Sequence, residues 1–251
     1  MSSVREIWRS AAEANGLERY AEDPRFPRLC ELLLAKNEQV NLTAIRDPLG
    51  VCVLHFADSL TLLPFISEGA RVIDVGCGGG FPSLPLAIAR PDVTVAALDS
   101  TEKKLRFVAD AASELGLCNI STVYARAEEA GLDPAFRESF DCAVSRAVAP
   151  LDVLCELCIP FIRPGGRLCA MKSRSADGEL ILAAPVIPTR GGGEPQTRSL
   201  SLSFPRGCER EGDLTRVIVL SDKLSPTPPA YPRNYSQIKK VHQKAIQRKI
   251  P

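Results

Sequence analysis

Residues 72–82 read VIDVGCGGGFP, a hydrophobic strand that runs straight into a loop with glycine at four of the five positions from 76 to 80. A loop of this kind brings backbone N–H groups up against something flat, polar or anionic. Nicotinamide dinucleotides, nucleoside triphosphates and S-adenosylmethionine (AdoMet) all use glycine-rich loops after a first strand, so the surrounding residues must discriminate among them.

In a GxGxxG dinucleotide site the third glycine allows close helix–strand packing beside the pyrophosphate. Gly76 and Gly78 supply the first two, but Phe81 stands third, and Pro82 removes an amide donor that a pyrophosphate would use. A Walker loop is excluded because no Gly-Lys-Ser/Thr follows. AdoMet carries no phosphate; it needs close backbone approach to its methionine moiety and an acid for its ribose diol. Asp99, 25 residues after Asp74, is placed for that diol, and Asp74 either orders the loop or helps bind the methionine amine. AdoMet is the best match. A nicotinamide cofactor and a loop serving only a tight turn stand as alternatives.

Outward from the loop the texture alternates. Strand-like runs at 70–76, 93–99, 120–129, 140–148 and 167–173 are separated by helical runs at 81–90, 101–116 and 150–162, the last stopped by RPGG. Such alternation implies a parallel, doubly wound α/β sheet. The end differs: 198–205 and 215–223 are strand-like with no helix between them, which reads as an antiparallel hairpin at a sheet edge. The expected architecture is a Rossmann-like AdoMet-dependent methyltransferase fold. Before it, 4–14, 24–40 and 50–66 carry apolar residues at helical spacing. The domains so expected are a helical extension over 1–66 packed on the core, a methyltransferase core over 67–225, and a basic tail over 226–251.

Apolar residues make up 45% and charged residues 24% of the 251, the profile of an ordinary globular protein. The run 81–99 is interrupted by Arg90, Pro91 and Asp92, so no segment is expected to reach bilayer-spanning length. No signal-peptide core is present, and nine cysteines, an odd number, are expected to stay reduced in a cytoplasm. Charge is uneven. Six Lys or Arg and no acid follow Pro226, which leaves the first 225 residues at −5 within a net charge of +1. A basic tail on an acidic body points to a polyanion, nucleic acid first; a solvated charged helix is the plainer alternative.

A more specific likeness rests on NLTAI (41–45), HFADSL (55–60), DVGCGGGFPSLPLAI (74–88), LDSTEKKLRF (98–107), RAEE (126–129), FDCAVSRAVAPL (140–151) and PGG (164–166). In this order and spacing they resemble the small-subunit ribosomal RNA methyltransferase G (GidB) family over roughly residues 25 to 233. The resemblance implies methylation of N7 of a guanine in 16S ribosomal RNA near the decoding site. It implies cofactor contacts at Gly76, Phe81, Ala127, Glu128 and Arg146, with Asp99 and Ser100 at the ribose. Lys103, Arg126 and Arg146 match basic positions tied to activity. The family's Lys-Pro-Gly-type tail is replaced here by YPRNYSQIKKVHQKAIQRKIP, basic but without the motif.

The chemistry fits the residue inventory. Guanine N7 has a free in-plane lone pair and no proton, so transfer needs alignment more than a general base. No Asp/Asn-Pro-Pro-aromatic motif follows the fourth strand, as an exocyclic amine would want, and no Pro-Cys nucleophile stands there. Ser145 and Arg146 stand there instead, where doubly wound sheets bind ligands. Arg146 is either a ligand-holding fork or half of a salt bridge to Glu128 or Asp74. Lys103 and Lys104 reach either RNA phosphate or solvent. His55 and Asp58, three apart, share a helix face and either shape the entrance to the AdoMet site or, the commoner role of such a pair, fix that helix to its neighbour by hydrogen bonding. Cys155 and Cys158 are expected in the core, His242 on a solvated face, and Trp8 as a hydrophobic anchor. The partners expected are 16S ribosomal RNA or the 30S subunit, with no membrane, no metal and a monomeric chain. A small-metabolite methyltransferase and a non-catalytic RNA-binding assembly factor are the competing readings.

Overall fold

The computed structural model describes residues 2–172, 176–208, 210 and 212–248. Its strands are β1 (Arg71–Val75), β2 (Thr94–Asp99), β3 (Ile120–Tyr124), β4 (Phe140–Arg146), β5 (Ile162–Lys172), β6 (Gln196–Ser203) and β7 (Asp213–Asp222). Among the described residues they form a seven-stranded sheet in the order β3-β2-β1-β4-β5-β7-β6. The first five strands pair in parallel, and β7 runs antiparallel between β5 and β6. The chain reverses its direction of winding between β1 and β4, and the crevice there is where open α/β sheets take ligands.

The helices are α1 (Val4–Ala14), α2 (Arg25–Asn37), α3 (Pro48–Val51), α4 (Asp58–Leu60), α5 (Ser83–Ala89), α6 (Glu102–Glu114), α7 (Ala127–Ala130), α8 (Leu151–Cys158), α9 (Asp177–Ala183) and α10 (Tyr235–Gln247). Alternate strand residues serve opposite faces of the sheet, as the strand period of two requires. Ile73, Val75 and Ala143 join α8 and α9 on one face, whereas Val72, Cys142 and Val144 pack with Leu62 and Leu86 on the other.

The N-terminal helices close over α5 and α6 in one continuous apolar cluster. Helix α1 starts with a capping box: the Glu6 N–H donates to Ser3 Oγ, and the Glu6 carboxylate accepts the Ser3 N–H. Trp8, fully buried, stacks on Phe26 at 4.4 Å and donates from Nε1 to the Tyr20 carbonyl at 2.9 Å. Burial of side chains this large stabilises by roughly 2–3 kcal/mol each. Asn15, at the end of α1, exchanges two hydrogen bonds of 2.8 Å with the Ser203 backbone and so ties the extension to β6.

Two expectations are corrected. RPGG does not separate helix from strand but lies within β5, whose pairing with β4 shifts register between Phe140 and Cys142. A Cβ on Gly166 would meet the Asp141 carbonyl at 2.5 Å, so the two backbones approach too closely for any side chain. The run Pro48–Phe65 is long and apolar enough to cross a membrane, with a mean hydropathy of 1.4 over 18 residues, yet 61% of it is buried in the fold. Its apolar character serves the core. Helix α9 lies in a stretch to which the sequence reading assigned no element; Ser173, at the expected end of the fifth strand, lies outside the described residues.

The tail comes back onto the body. Arg233 holds the buried Glu156 through Nε at 2.7 Å, and Glu156 also pairs with Arg190. Helix α10 buries Ile238 against Val153 and Leu157 of α8, while Lys239, Lys240, Lys244 and Arg248 stay exposed. His242, expected on a solvated face, is corrected: its Nδ1 lies 2.7 Å from Asp152 Oδ2, so the imidazole pins α10 to α8.

Candidate active site

A cavity of about 540 Å³ opens at the C-terminal ends of β1, β2 and β4. The glycine loop forms its floor. Gly76 and Cys77 both donate to the Leu98 carbonyl, at 2.8 and 2.9 Å, which clamps the loop to β2. Gly76 has φ +77°, a conformation that favours glycine, and a Cβ there would lie 2.5 Å from Val148 Cγ2, so the exposed Val148 side chain would have to move. Asp99 Oδ2 accepts the Gly78 N–H at 2.9 Å and Oδ1 accepts the Thr101 N–H at 2.8 Å. That fixes the carboxylate at the cavity wall with lone pairs to spare.

Of the residues singled out in the sequence, Gly76, Gly78, Phe81, Asp99, Ser100 and Glu128 line this cavity, together with Arg126, Ala127 and Arg146. Two do not. Lys103 is exposed on the far side of its helix turn, and Lys104 takes the place at the wall. Asp74 is fully buried behind the loop, where Oδ2 accepts from both the N–H and the hydroxyl of Ser83. Its Oδ1 has no hydrogen-bond partner among the described residues, and burial pushes its carboxyl up to about 7 against the opposing pull of the Ser83 bonds. Asp74 therefore sets the start of α5 rather than facing the cavity. The Arg126 guanidinium is exposed and makes no ion pair or hydrogen bond among the described residues.

Arg146 does form a salt bridge, but to neither Glu128 nor Asp74. It reaches the N-terminal helices, donating to the Leu54 carbonyl at 2.8 Å, Asp58 Oδ2 at 3.2 Å and His55 Nδ1 at 2.9 Å. The chain between α3 and α4 forms a π-helical turn, Cys52–Ala57, that presents His55 and Asp58 together. The Asp58 second oxygen takes Arg216 of β7 at 2.9 Å. His55 also stacks on Phe81, centroids 4.4 Å apart. Its protonation is dictated by its partners. Arg146 can only donate, so His55 Nδ1 accepts and Nε2 carries the proton toward Thr43 Oγ1, 2.7 Å away. Burial, with the Arg146 charge beside it, lowers its pKa to about 3, so it stays neutral.

Sequence reasoning found the pairing role of His55 and Asp58 but not its target, since Arg146 and Arg216 lie 88 and 158 residues away from Asp58. Tyr235 also lines the cavity, delivered by the docked tail. Nothing in the sequence around it signals that placement. Cys155 and Cys158 are free and fully buried. No group of three or more His, Cys, Asp or Glu able to hold a metal occurs among the described residues.

The family model described as "rRNA small subunit methyltransferase G" (GidB) matches residues 23–197. The chain belongs to this family. Among relatives named ribosomal RNA small subunit methyltransferase G, one from Desulfitobacterium hafniense (strain Y51) is 41% identical over 209 residues, covering 83% of this chain and 84% of the relative. Another, from Pelotomaculum thermopropionicum, is 39% identical over 236 residues, covering 93% and 96%. A solved SAM-dependent O-methyltransferase from Thermotoga maritima shares the fold, with a TM-score of 0.52 and 16% identity over 78% of this chain and 72% of that one. The methyltransferase G family thus sits on the Rossmann-like methyltransferase sheet. The cavity fits the family's cofactor, AdoMet: side-chain-free glycines allow close approach and Asp99 stands ready for a diol. HFADSL and SRAVAPL, the family-specific segments, meet in space as His55 and Arg146.

Proposed function

We propose that the chain transfers the methyl group of AdoMet to N7 of a guanine in 16S ribosomal RNA, free or within the 30S subunit, in the cytoplasm. Its class is that of its family, an AdoMet-dependent small-subunit rRNA methyltransferase. The observation that carries the reading is the match of residues 23–197 to the methyltransferase G family together with a cavity that fits AdoMet, and the state of His55 accords with the N7 position. An imidazole held neutral, with Nδ1 already accepting from Arg146, is not available as a proton acceptor at the cavity wall. Guanine N7 requires none, because its attacking lone pair bears no proton. Bound AdoMet supplies an electrophilic methyl on a sulfonium.

The protein's part is positioning. The loop amides and Asp99 hold the donor side, while Arg146, Phe81 and His55 form a rigid partition beside it. Geometric alignment of this kind can supply several kcal/mol of barrier reduction. Lys104 and Arg126 at the rim, with Lys239, Lys240 and Lys244 on α10 and Arg248 at its end, offer cations to phosphates. The deciding measurement is chemical cleavage at N7-methylguanine in small-subunit RNA from cells with and without the gene. Cleavage lost with the gene is expected; an unchanged pattern overturns the reading.

A further inference from the structure

Arg146 stands at the edge between two adjoining cavities. The second, of about 640 Å³, shares His55, Arg146, Ala147 and Val148 with the first, and the exposed Ala147 and Val148 form the edge along which a base and a donor can meet. Two carboxylates line it. Asp58 is spent, since one oxygen takes Arg146 and the other Arg216. Glu179 differs. Its Oε2 accepts the Leu151 N–H at 2.6 Å and Lys172 Nζ at 2.7 Å, and its Oε1 has no hydrogen-bond partner among the described residues. The side chain is 35% exposed, open enough to meet a ligand. Lys172 is held in turn by the Ala149 carbonyl at 2.8 Å and retains a third N–H to give.

We propose that this second cavity receives the target base and that Glu179 reads its Watson–Crick edge; the proposal rests on the guanine-N7 reading above. Guanine alone among the four bases offers two adjacent donors there, N1–H and the N2 amine, and the free Oε1, with two lone pairs, can accept from both while Oε2 keeps Leu151 and Lys172. Next to N1–H guanine carries the O6 acceptor, as Lys172 stands next to Glu179. Adenine and cytosine would point a ring-nitrogen lone pair at the carboxylate. The Leu151 N–H and Lys172 fix the carboxylate before the base arrives, so little ordering remains to be done on binding.

The same contact assists the transfer. The N7 lone pair forms the new bond to the methyl carbon, the carbon–sulfur pair leaves with sulfur, and no proton departs. Positive charge moves from sulfur onto the purine, which makes N1–H more acidic. A carboxylate already bonded to N1–H is therefore held more strongly in the transition state than in the ground state, and its loss is felt in kcat.

The test uses 30S subunits reconstituted with 16S RNA carrying either guanosine or inosine at the methylated position. Inosine keeps N7 and N1–H but lacks the N2 amine. For the wild-type chain, inosine should lower turnover about tenfold. Glu179→Gln, which keeps an acceptor for the Leu151 N–H, should lower kcat on guanosine about tenfold while inosine costs it less than about threefold more. Its affinity for S-adenosylhomocysteine should stay within about twofold of wild type. Equal wild-type rates on the two RNAs overturn the proposal whatever the variant does, and so does an inosine penalty that persists undiminished in Glu179→Gln. A wild-type chain that methylates N7 in neither RNA refutes the guanine-N7 reading instead, and the proposal with it.

Discussion

The two cavities flanking Arg146 are made of different material. The first draws its floor from backbone, a glycine loop clamped to Leu98 and a carboxylate fixed by two amides, all between residues 75 and 101. The second is lined mainly by apolar residues such as Ile45, Met171 and Ile218, and its polar groups are charged side chains from separate parts of the chain: Asp58, Arg146, Lys172, Glu179 and Arg216. A backbone site tolerates no added atoms but needs no distant partner. A side-chain site tolerates small changes of shape but depends on charge pairs closed across the whole fold. Substitutions should therefore fail in different ways on the two sides.

The largest effect is expected at Gly76. Gly76→Val puts a β-branched residue at φ +77° and drives Cβ to 2.5 Å from Val148. Strain of that kind costs about 1–3 kcal/mol before the clash is counted. Affinity for S-adenosylhomocysteine, measured by calorimetry, should fall on the order of 100-fold. Retention of near-wild-type affinity would mean that the loop does not hold the donor.

This difference in material also decided what could be read from the sequence. The glycine loop, its strand and Asp99 are contiguous or one strand apart, so their spacing, read with Phe81, Pro82 and the closing hairpin, pointed to the first cavity and favoured AdoMet for it. The parallel sheet and closing hairpin were legible for the same reason: alternation and turn residues are local. Arg146 was legible as important but not as part of a network, because its partners His55 and Asp58 come from a helix with which it shares no pattern. Glu179 lies on α9, in a stretch to which the sequence reading assigned no element, and its pairing with Lys172, seven residues earlier at the end of β5, shows only once α9 is placed. Asp74 misled in the opposite sense. Its neighbourhood in sequence is the loop, yet the strand's period of two turns it away from the cavity and into the start of α5.

Next in size, Asp58→Asn should separate the two sides. It leaves Arg146 and Arg216 without their shared anion in a site where Asp58 itself is 4% exposed. Breaking a buried pair costs about 3–5 kcal/mol, and partial exposure of both arginines brings the expected loss nearer 2–3 kcal/mol. Urea unfolding should show that loss. Transfer to RNA should fall at least about tenfold while S-adenosylhomocysteine affinity changes less than about threefold. A matching collapse of both would show that the partition belongs to the donor side.

The two buried titrating groups sharpen the contrast through pH. His55, on the partition, has its pKa lowered from 6.5 to about 3. Its contribution is present above 6.5 and is lost as pH falls, because the unfolded chain takes a proton that the folded one refuses. Asp74, under the loop, has its pKa raised from 3.8 to about 7. Its contribution is greatest below 3.8 and is lost as pH rises through 7. From a pH of about 8 to about 5 each term amounts to about 2 kcal/mol, with opposite signs. Relative to wild type, Asp74→Asn should lose stability on acidification over that interval and His55→Gln should gain it, by about 2 kcal/mol each in urea midpoints. Shifts of the same sign in both variants would contradict the assignment.

The smallest expected effect lies at the seam between the cavities. Ala147 adopts φ +57°, a left-handed conformation unusual for a residue with a Cβ, and it lines both sides. The turn it makes carries Val148 over Gly76. A left-handed alanine costs about 1–2 kcal/mol, and glycine there would give back about 0.4–1 kcal/mol through the freedom of its unfolded chain. Ala147→Gly should therefore raise stability by about 0.5 kcal/mol, seen as a small increase in Tm, with kcat within about twofold of wild type. Gly76 and Ala147 are thus both left-handed, one crowded against Val148 if given a Cβ and the other strained by having one. If Ala147→Gly instead lowers stability, the alanine methyl contributes packing at the seam worth more than the strain it brings.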